Sequence, residues 1–356
     1  MKMEELQSQA VQLLQILITI ESFSKSENKT ADLIQGFLEQ KNVKTNRLLN
    51  NVWAANKRFD EGKPTILLNS HHDTVKPSQQ YTRNPFESSI EDGKLYGLGS
   101  NDAGGALVAL LACFLYYYDK TDLKFNLLFA ATAEEEISGS NGVELLLPEL
   151  GNIYLGIVGE PTNMNLAIAE KGLLVIDCEA KGKSGHAARE EGINAIYVAM
   201  KDIEWFRTFK FPKVSKTLGE VKLTVSIINS GSQHNIVPDT CRFVVDIRTT
   251  DAYTNQDILE IINKHTACEI KARSMRLKPS AIDELHPIVQ IGLALGRSLY
   301  GSPTTSDKAL MNFDTIKLGP GDSARSHTAD EFIYIHEIEE GIELYIKLLN
   351  QLNIIL

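Results

Sequence analysis

No CxxC pair, no surplus of basic residues and no apolar run of membrane length occurs in this chain of 356 residues. Each absence excludes something. The four cysteines, Cys113, Cys178, Cys241 and Cys268, lie far apart in strand- or helix-like runs. That reads as buried thiols in a reducing compartment, not as a disulfide framework. There are 36 Lys and Arg against 46 Asp and Glu, a net charge of −10. Nucleic-acid binders present a basic face, so no nucleic-acid partner is expected. The apolar run 11–20 follows Glu4 and Glu5, is broken by Gln12 and Gln15, and ends at Glu21. It lacks the basic start and cleavage site of a signal peptide and falls short of the ~20 apolar residues of a span. The expectation is a cytoplasmic protein with no membrane partner.

What is present is a core. A hydrophobic fraction of 43% with 23% charged residues is that of a soluble globular chain, and its length suits one large or two smaller domains. Residues 4–20 carry apolar side chains at helical spacing, and 31–40 reads as a second helix. Strand-like runs follow at 65–69, 125–131 and 153–159, with a helix at 105–118 between the first two. Alternating strands and mostly apolar runs predict a parallel α/β sheet.

After Gly172 the grammar changes. Strand 173–180, helix 194–209, strands 221–229 and 241–249, helix 254–265 and strand 268–277 spell β-α-β-β-α-β, the order of a split βαβ, ferredoxin-like domain. The α/β pattern then resumes with helix 287–300, strand 314–318 and helix 336–352. The reading is a discontinuous domain, 1–171 and 285–356, with a smaller one, 172–284, inserted.

"TILLNSHHDTV" poses the functional question, because an apolar strand runs straight into His71, His72 and Asp73. Similar residues stand past the other strands. Asp102 precedes a helix; Glu134, Glu135 and Glu136 follow 125–131; Glu160 follows 153–159; His327 lies beyond the last strand. In open α/β sheets that edge binds ligands. Singly, each has a plain explanation: a satisfied loop histidine, a solvated run of glutamates, or a helix cap for Asp102. Jointly, imidazoles and carboxylates at one edge suit zinc or a similar divalent ion. Two histidines and three carboxylates exceed one open tetrahedral site and match two ions sharing a bridging carboxylate. Such a pair polarises a carbonyl oxygen and activates water, and a free carboxylate can move the proton to a leaving nitrogen.

Five motifs, in order, resemble the dinuclear-zinc peptidase and deacylase family that includes acetylornithine deacetylase and succinyl-diaminopimelate desuccinylase. "SHHDTV" resembles GHxDxV, "YGLGSNDAGGA" resembles GRGxxDxKGG, and "TAEEEISGSNG" resembles Tx[DE]EE with a small-residue turn. "VGEPT" is the family's form as it stands, and "GPGDSARSHTADEF" resembles GPG followed by Hxx[DN]E. The resemblance spans nearly the whole chain. It implies a zinc-peptidase-like catalytic domain with an inserted dimerisation domain and two zinc ions, with cobalt or manganese as alternatives. It implies that His71 and Glu160 hold one ion, Glu136 and His327 the other, and that Asp102 bridges them. Glu135 would be the general base and acid, and Asp73 would hydrogen-bond His71 to fix its tautomer. His72 falls at a variable motif position and would line the pocket. The family's lysine and arginine fall here on Gly104 and Leu98.

In the inserted domain, "GKSGHAA" carries His186, whose family counterpart reaches the partner subunit's active site and stabilises the oxyanion, which implies a homodimer. "SGSQHNIVPDTCRFVVDIR" also resembles the family, so Asn235 and Arg248 would contact substrate, Arg248 pairing with a carboxylate. A surface strand-end charge is the plain alternative for Arg248. "PTTSDKALMN" resembles the family's substrate loop and puts Thr305 there, with Lys308 beside it, but glycine and arginine are replaced by Thr304 and Ala309. The implied reaction is amide hydrolysis of a small N-acyl amino acid, N-acetylornithine in arginine biosynthesis first. N-acetylcitrulline, N-succinylornithine and N-succinyl-diaminopimelate remain open, as does a di- or tripeptide. A catalytically inert metal-binding homologue and a phosphoesterase are the readings from other classes.

Overall fold

The strand Thr65–His71 is buried at all seven positions, and the computed structural model shows why. It lies inside a mainly parallel sheet, paired in parallel with Asn126–Thr132 on one side and Leu155–Val158 on the other. Thr315–Lys317 continues the parallel run beside Leu155–Val158; on the other side Asn51–Ala55 lies antiparallel on Asn126–Thr132, and Thr45–Leu48 follows it at the edge. With both faces covered, the strands have no polar side to alternate with. Ile66 and Leu68 join the cluster under the helices, while Leu67 joins Leu128, Ala130 and Leu146 in a second cluster. The period of two is thus present but apolar on both sides.

The structure describes residues 2–189 and 191–356, and the chain divides into two units. The larger takes residues up to Ile168, then Ala281–Tyr300 and Ser306–Leu356. Its helix Gly105–Tyr117 packs on Met3–Ile18 and Ile335–Ile355 as well as on the sheet, which is why it is buried nearly all round. Ala106, Val108, Ala109 and Leu110 are fully covered. Among the described residues no helix is long and apolar enough to cross a membrane.

The smaller unit comprises Ala169–Ser280 and Gly301–Thr305. Its antiparallel sheet runs in the order Lys222–Ser230, Thr240–Thr249, Gly172–Lys181, Glu269–Ala272. The helices Ala195–Thr208 and Asn255–His265 complete the ferredoxin-like β-α-β-β-α-β order. Gly172–Lys181 alternates buried and half-buried residues, so one face meets the helices and the other does not. Leu174, Ile176, Phe206, Phe243, Val245, Ile258 and Ile262 form the core. Asn194 caps the first helix by accepting from the Ile196 N–H, and Thr254 and Asp257 cap the second reciprocally.

Some expected boundaries move. The helix expected over 287–300 spans only Pro287–Ala294, because Gly296 takes a positive φ of 78° and Leu299–Ser302 is a strand. The final strand of the smaller unit is Glu269–Ala272, shorter than 268–277. A small antiparallel sheet of Ser89–Glu91, Lys94–Tyr96 and Phe332–Tyr334 was not anticipated.

Candidate metal centre

Two acid-bearing turns meet two histidines at the carboxyl edge of the larger unit's sheet. Asp102 lies between the histidines. Its Oδ1 is 3.3 Å from His71 Nε2 and its Oδ2 is 3.6 Å from His327 Nε2. Glu160 Oε1 lies 3.7 Å from His71 Nε2, and Glu136 Oε2 lies 3.1 Å from His327 Nε2. Glu135 Oε2 stands 4.0 Å from His71 Nε2. The structure therefore brings together His71, Asp102, Glu135, Glu136, Glu160 and His327.

Buried side chains hold both turns by their backbone. Four consecutive N–H groups of the glutamate turn donate inward: Ala133 to Asn51, Glu134 to Glu27, and Glu135 and Glu136 to the two oxygens of Asp73, at 3.0–3.2 Å. Asp73 also accepts from Ser24 at 2.6 Å. The Asp102 turn is held likewise, with Glu331 accepting from the N–H of Gly99, Asn101 and Asp102 at 3.0, 2.9 and 2.9 Å. Both turns are tight: Glu134 and Gly99 have positive φ.

His71 Nδ1 lies 2.9 Å from the Asp73 carbonyl oxygen and 3.5 Å from Asp73 Oδ1. The direct partner is thus the Asp73 backbone, with its carboxylate behind. An Nδ1–H donating there leaves Nε2 facing Asp102 and Glu160. His72 turns the other way and is buried, with Nδ1 2.9 Å from Thr30 Oγ1 and Nε2 2.8 Å from the Asn50 carbonyl. Burial pushes its pKa down to about 4, and its ring nitrogens are spent on these interior contacts. Glu134, first of the triplet, bonds Asn141 instead of joining the centre.

The electrostatics are those of acids crowded out of water. Burial pushes Glu160 up to about 8, with Lys317 opposing and Asp102 adding. Burial drives Glu135 well above the usual carboxylate range; His71 opposes, and Glu160, Asp307 and Glu136 add to the rise. Glu136 is raised by burial too. His71 is raised in spite of burial, because Asp102, Asp73, Glu135 and Glu160 surround it. Pairing with Glu136 lifts His327 to about 9. A divalent cation would relieve this crowding, and the imidazole and carboxylate donors fit zinc or a similar ion. Two sets of ligand atoms lie within 4.8 Å of one another, His71–Asp102–Glu136 and His71–Glu135–Glu160.

The other expected site residues belong to the smaller unit. His186 and Asn235 meet there. Gly185–His186 pairs with Ile236–Val237, and the Ala187 N–H donates to the Asn235 carbonyl at 3.0 Å. His186 is exposed, and its Nδ1 accepts from the Ala188 N–H at 3.1 Å. Arg248 forks onto Asp246 at 2.8 and 3.0 Å. The Thr305 hydroxyl donates to the Lys171 carbonyl at 2.8 Å. Lys308 is 1% exposed, with Nζ 3.3 Å from the Ile168 carbonyl, so it belongs to the interior of the larger unit.

Sequence reading missed the supports. Glu27, Asp307 and Glu331 are buried, and Asp307 accepts from Asn69 and Thr132 at 2.9 and 2.7 Å. Asp307 and Glu331 stood inside the quoted motifs, but only Glu331, next to Phe332, carried a signal, and Asp307 between Ser306 and Lys308 carried none.

Comparison with known proteins gives the family and the fold. The profile of peptidase family M20/M25/M40 matches residues 67–351. An acetylornithine deacetylase of Proteus mirabilis is 29% identical over 306 residues, covering 80% of this chain and 78% of its own. A LysW-lysine/LysW-ornithine hydrolase of Sulfurisphaera tokodaii is 28% identical, covering 96% and 95%. The crystal structure of an M20 family metallo-carboxypeptidase from Sulfolobus solfataricus superposes with a TM-score of 0.79 at 18% identity, covering 98% of this chain and 99% of its own. With the profile spanning well over half of the sequence, the chain belongs to peptidase family M20/M25/M40, a hydrolase family.

Proposed function

We propose that this hydrolase cleaves the amide bond of an N-acyl amino acid, N-acetylornithine being the first candidate. The observation that carries the metal part of this reading is Asp102, whose two oxygens each face a different imidazole, as a carboxylate shared by two ions would require. In this reading His71 and Glu160 hold one ion, Glu136 and His327 the other. Zinc is the first choice, with cobalt or manganese compatible with the same donors. A divalent pair supplies carbonyl polarisation and a more acidic water.

The chain's own residues do the rest. Glu135 takes the proton of the attacking water and returns it to the leaving nitrogen. Its half-buried carboxyl, crowded by Glu160 and Asp307, suits a base of raised affinity for protons. Asp73 holds His71 and the 135–136 backbone in place. His186 stabilises the developing oxyanion from a partner subunit, and Asn235, Arg248 and Thr305 contact substrate. The dimer forms through the inserted domain: the edge strand Lys222–Ser230 exposes Ile227 and Ile228 at 49% and 52%, and an unpaired apolar edge favours strand addition. A role in arginine biosynthesis inside the cytoplasm follows from N-acetylornithine as substrate.

The similarity to acetylornithine deacetylase supports the acyl amino acid, and the LysW-lysine/LysW-ornithine hydrolase, aligned over more of the chain, supports a LysW-linked substrate as second reading. The test is amine release from a matched panel: N-acetylornithine, N-acetylcitrulline, N-succinylornithine, N-succinyl-diaminopimelate, LysW-linked ornithine and a dipeptide, each with zinc and with chelator. One zinc-dependent winner among the acyl amino acids supports the proposal. Preference for the dipeptide overturns it in favour of a peptidase.

A further inference from the structure

A second cavity lies in the larger unit, separate from the metal centre. It holds about 220 Å³ and is lined by Asn163, Met164, Arg297, Pro320, Gly321 and residues of the helix Ile335–Ile355. That volume suits a ligand of amino-acid size, below the range of drug-sized pockets. Its floor is apolar, with Met164, Pro320 and Leu344 buried. Its walls are charged. His336, Glu340 and Leu344 fall four residues apart and form one stripe along the helix. Arg297 faces the same cavity from beyond the helix Pro287–Ala294.

Arg297 is what points to a ligand. Among the described residues its buried Nε has no hydrogen-bond partner, and a buried donor left unmade is costly. Glu337, which also lines the cavity, is taken by Arg325 through two bonds at 2.6 and 2.8 Å. Glu340 stands one turn further on. A guanidinium, a carboxylate and an apolar floor in one small cavity match the three parts of a free α-amino acid: carboxylate, ammonium and side-chain stem.

We infer that this cavity binds a free α-amino acid, of the class released by the proposed reaction. The choice of class rests on that reading. An Nα-acyl substrate has no α-ammonium beside its carboxylate for Glu340; the product has one. The cavity also shares backbone with the metal centre. Asn163 donates to the Gly321 carbonyl at 2.7 Å and Met164 to the Gly319 carbonyl at 2.9 Å, three and four residues past Glu160. Occupancy there bears on the segment that presents Glu160.

Calorimetric titration of zinc-loaded Glu135→Gln protein, in which turnover is blocked, tests this with L-ornithine, L-citrulline and their Nα-acetyl forms. The free amino acids are expected to bind, and Arg297→Gln and Glu340→Gln each to weaken that binding by about tenfold or more, as loss of one charge-assisted bond predicts. Arg297→Lys, which keeps the charge without the fork, should fall between. Neither substitution should change binding of the acetyl forms. On the wild-type background Arg297→Gln should leave turnover without added amino acid within about twofold. Equal binding of free amino acids to parent and both variants overturns the inference, as does equal weakening for the acetyl forms. Should the substrate panel yield no hydrolysis, this titration still decides the cavity, so the two failures are distinguishable.

Discussion

The Glu331 carboxylate accepts the backbone N–H of Asp102 at 2.9 Å while the Asp102 side chain points between His71 and His327. One buried acid thus sets the place of another without touching its carboxylate. Glu331→Ala is expected to weaken divalent-metal binding about 10- to 100-fold, the cost typical of losing a group that orients a ligand. Metal titration of the purified variant checks this, alongside kcat and KM. The expected loss is in metal affinity and kcat with KM little changed, and full metal affinity with normal kcat would sink the assignment. Glu331→Gln, which keeps one acceptor oxygen, should be milder.

Glu135 offers the cleanest separation of chemistry from metal binding. Glu135→Gln is expected to retain both ions and lose at least about 100-fold in kcat, as removal of a general base does. Metal analysis and turnover on the same sample settle it. Retained turnover would assign the base elsewhere.

Chelation should destabilise the fold. The crowded acids around His71 repel one another without a counter-ion, and a ligand at a thousandfold excess over Kd stabilises by about 4 kcal/mol. EDTA is therefore expected to lower Tm by roughly 8 °C or more, with recovery on adding zinc. An unchanged melting curve would argue against a structural share for the metal.

A shared active site makes a numerical prediction. Mixing equal amounts of His186→Ala and Glu135→Gln chains, after denaturation and refolding, gives hybrids in which one of two sites has both groups. Activity should recover to about a quarter of wild type, the statistical share for a two-fold dimer. No recovery, with dimers confirmed by sedimentation, would count against a role for His186 in trans.

Phe206 is one of several buried aromatics that anchor the smaller unit's core. Phe206 is 2% exposed and meets Phe243 edge-on with centroids 6.0 Å apart. Phe206→Ala should cost about 3–5 kcal/mol in urea unfolding. A loss below about 1 kcal/mol would mean that the pocket collapses around the gap.

The architecture was largely legible because it rests on local periodicity. The apolar run at Thr65–His71 and the alternation of Gly172–Lys181 announce a doubly covered and a singly covered strand. The helix end at Ala294 was misjudged because Leu299 and Tyr300 continue the apolar pattern past Gly296, whose positive φ breaks the helix. At the metal centre, His71, Asp102, Glu136, Glu160 and His327 stood out as polar residues just beyond strands. Glu27, Asp73 and Glu331 do their holding through backbone N–H groups 62 to 232 residues away, as Asp73 to Glu135 and Glu331 to Gly99 illustrate. A backbone donor carries no residue-type signature, so such partners cannot be paired from sequence.

That arrangement has an evolutionary corollary. The glutamate turn is fixed by Asn51, Glu27 and Asp73 through main-chain bonds that do not depend on the side chains at 133–136, proline excepted. The Asp102 turn is fixed by Glu331 in the same way. Side chains at 102, 135 and 136 are therefore free to change with little effect on the path of the chain. The scaffold tolerates loss or replacement of the reactive groups and still presents whatever stands there at the sheet edge. A lineage with this design can pass through inactive intermediates that remain folded, and acquire a different chemistry without rebuilding the loops.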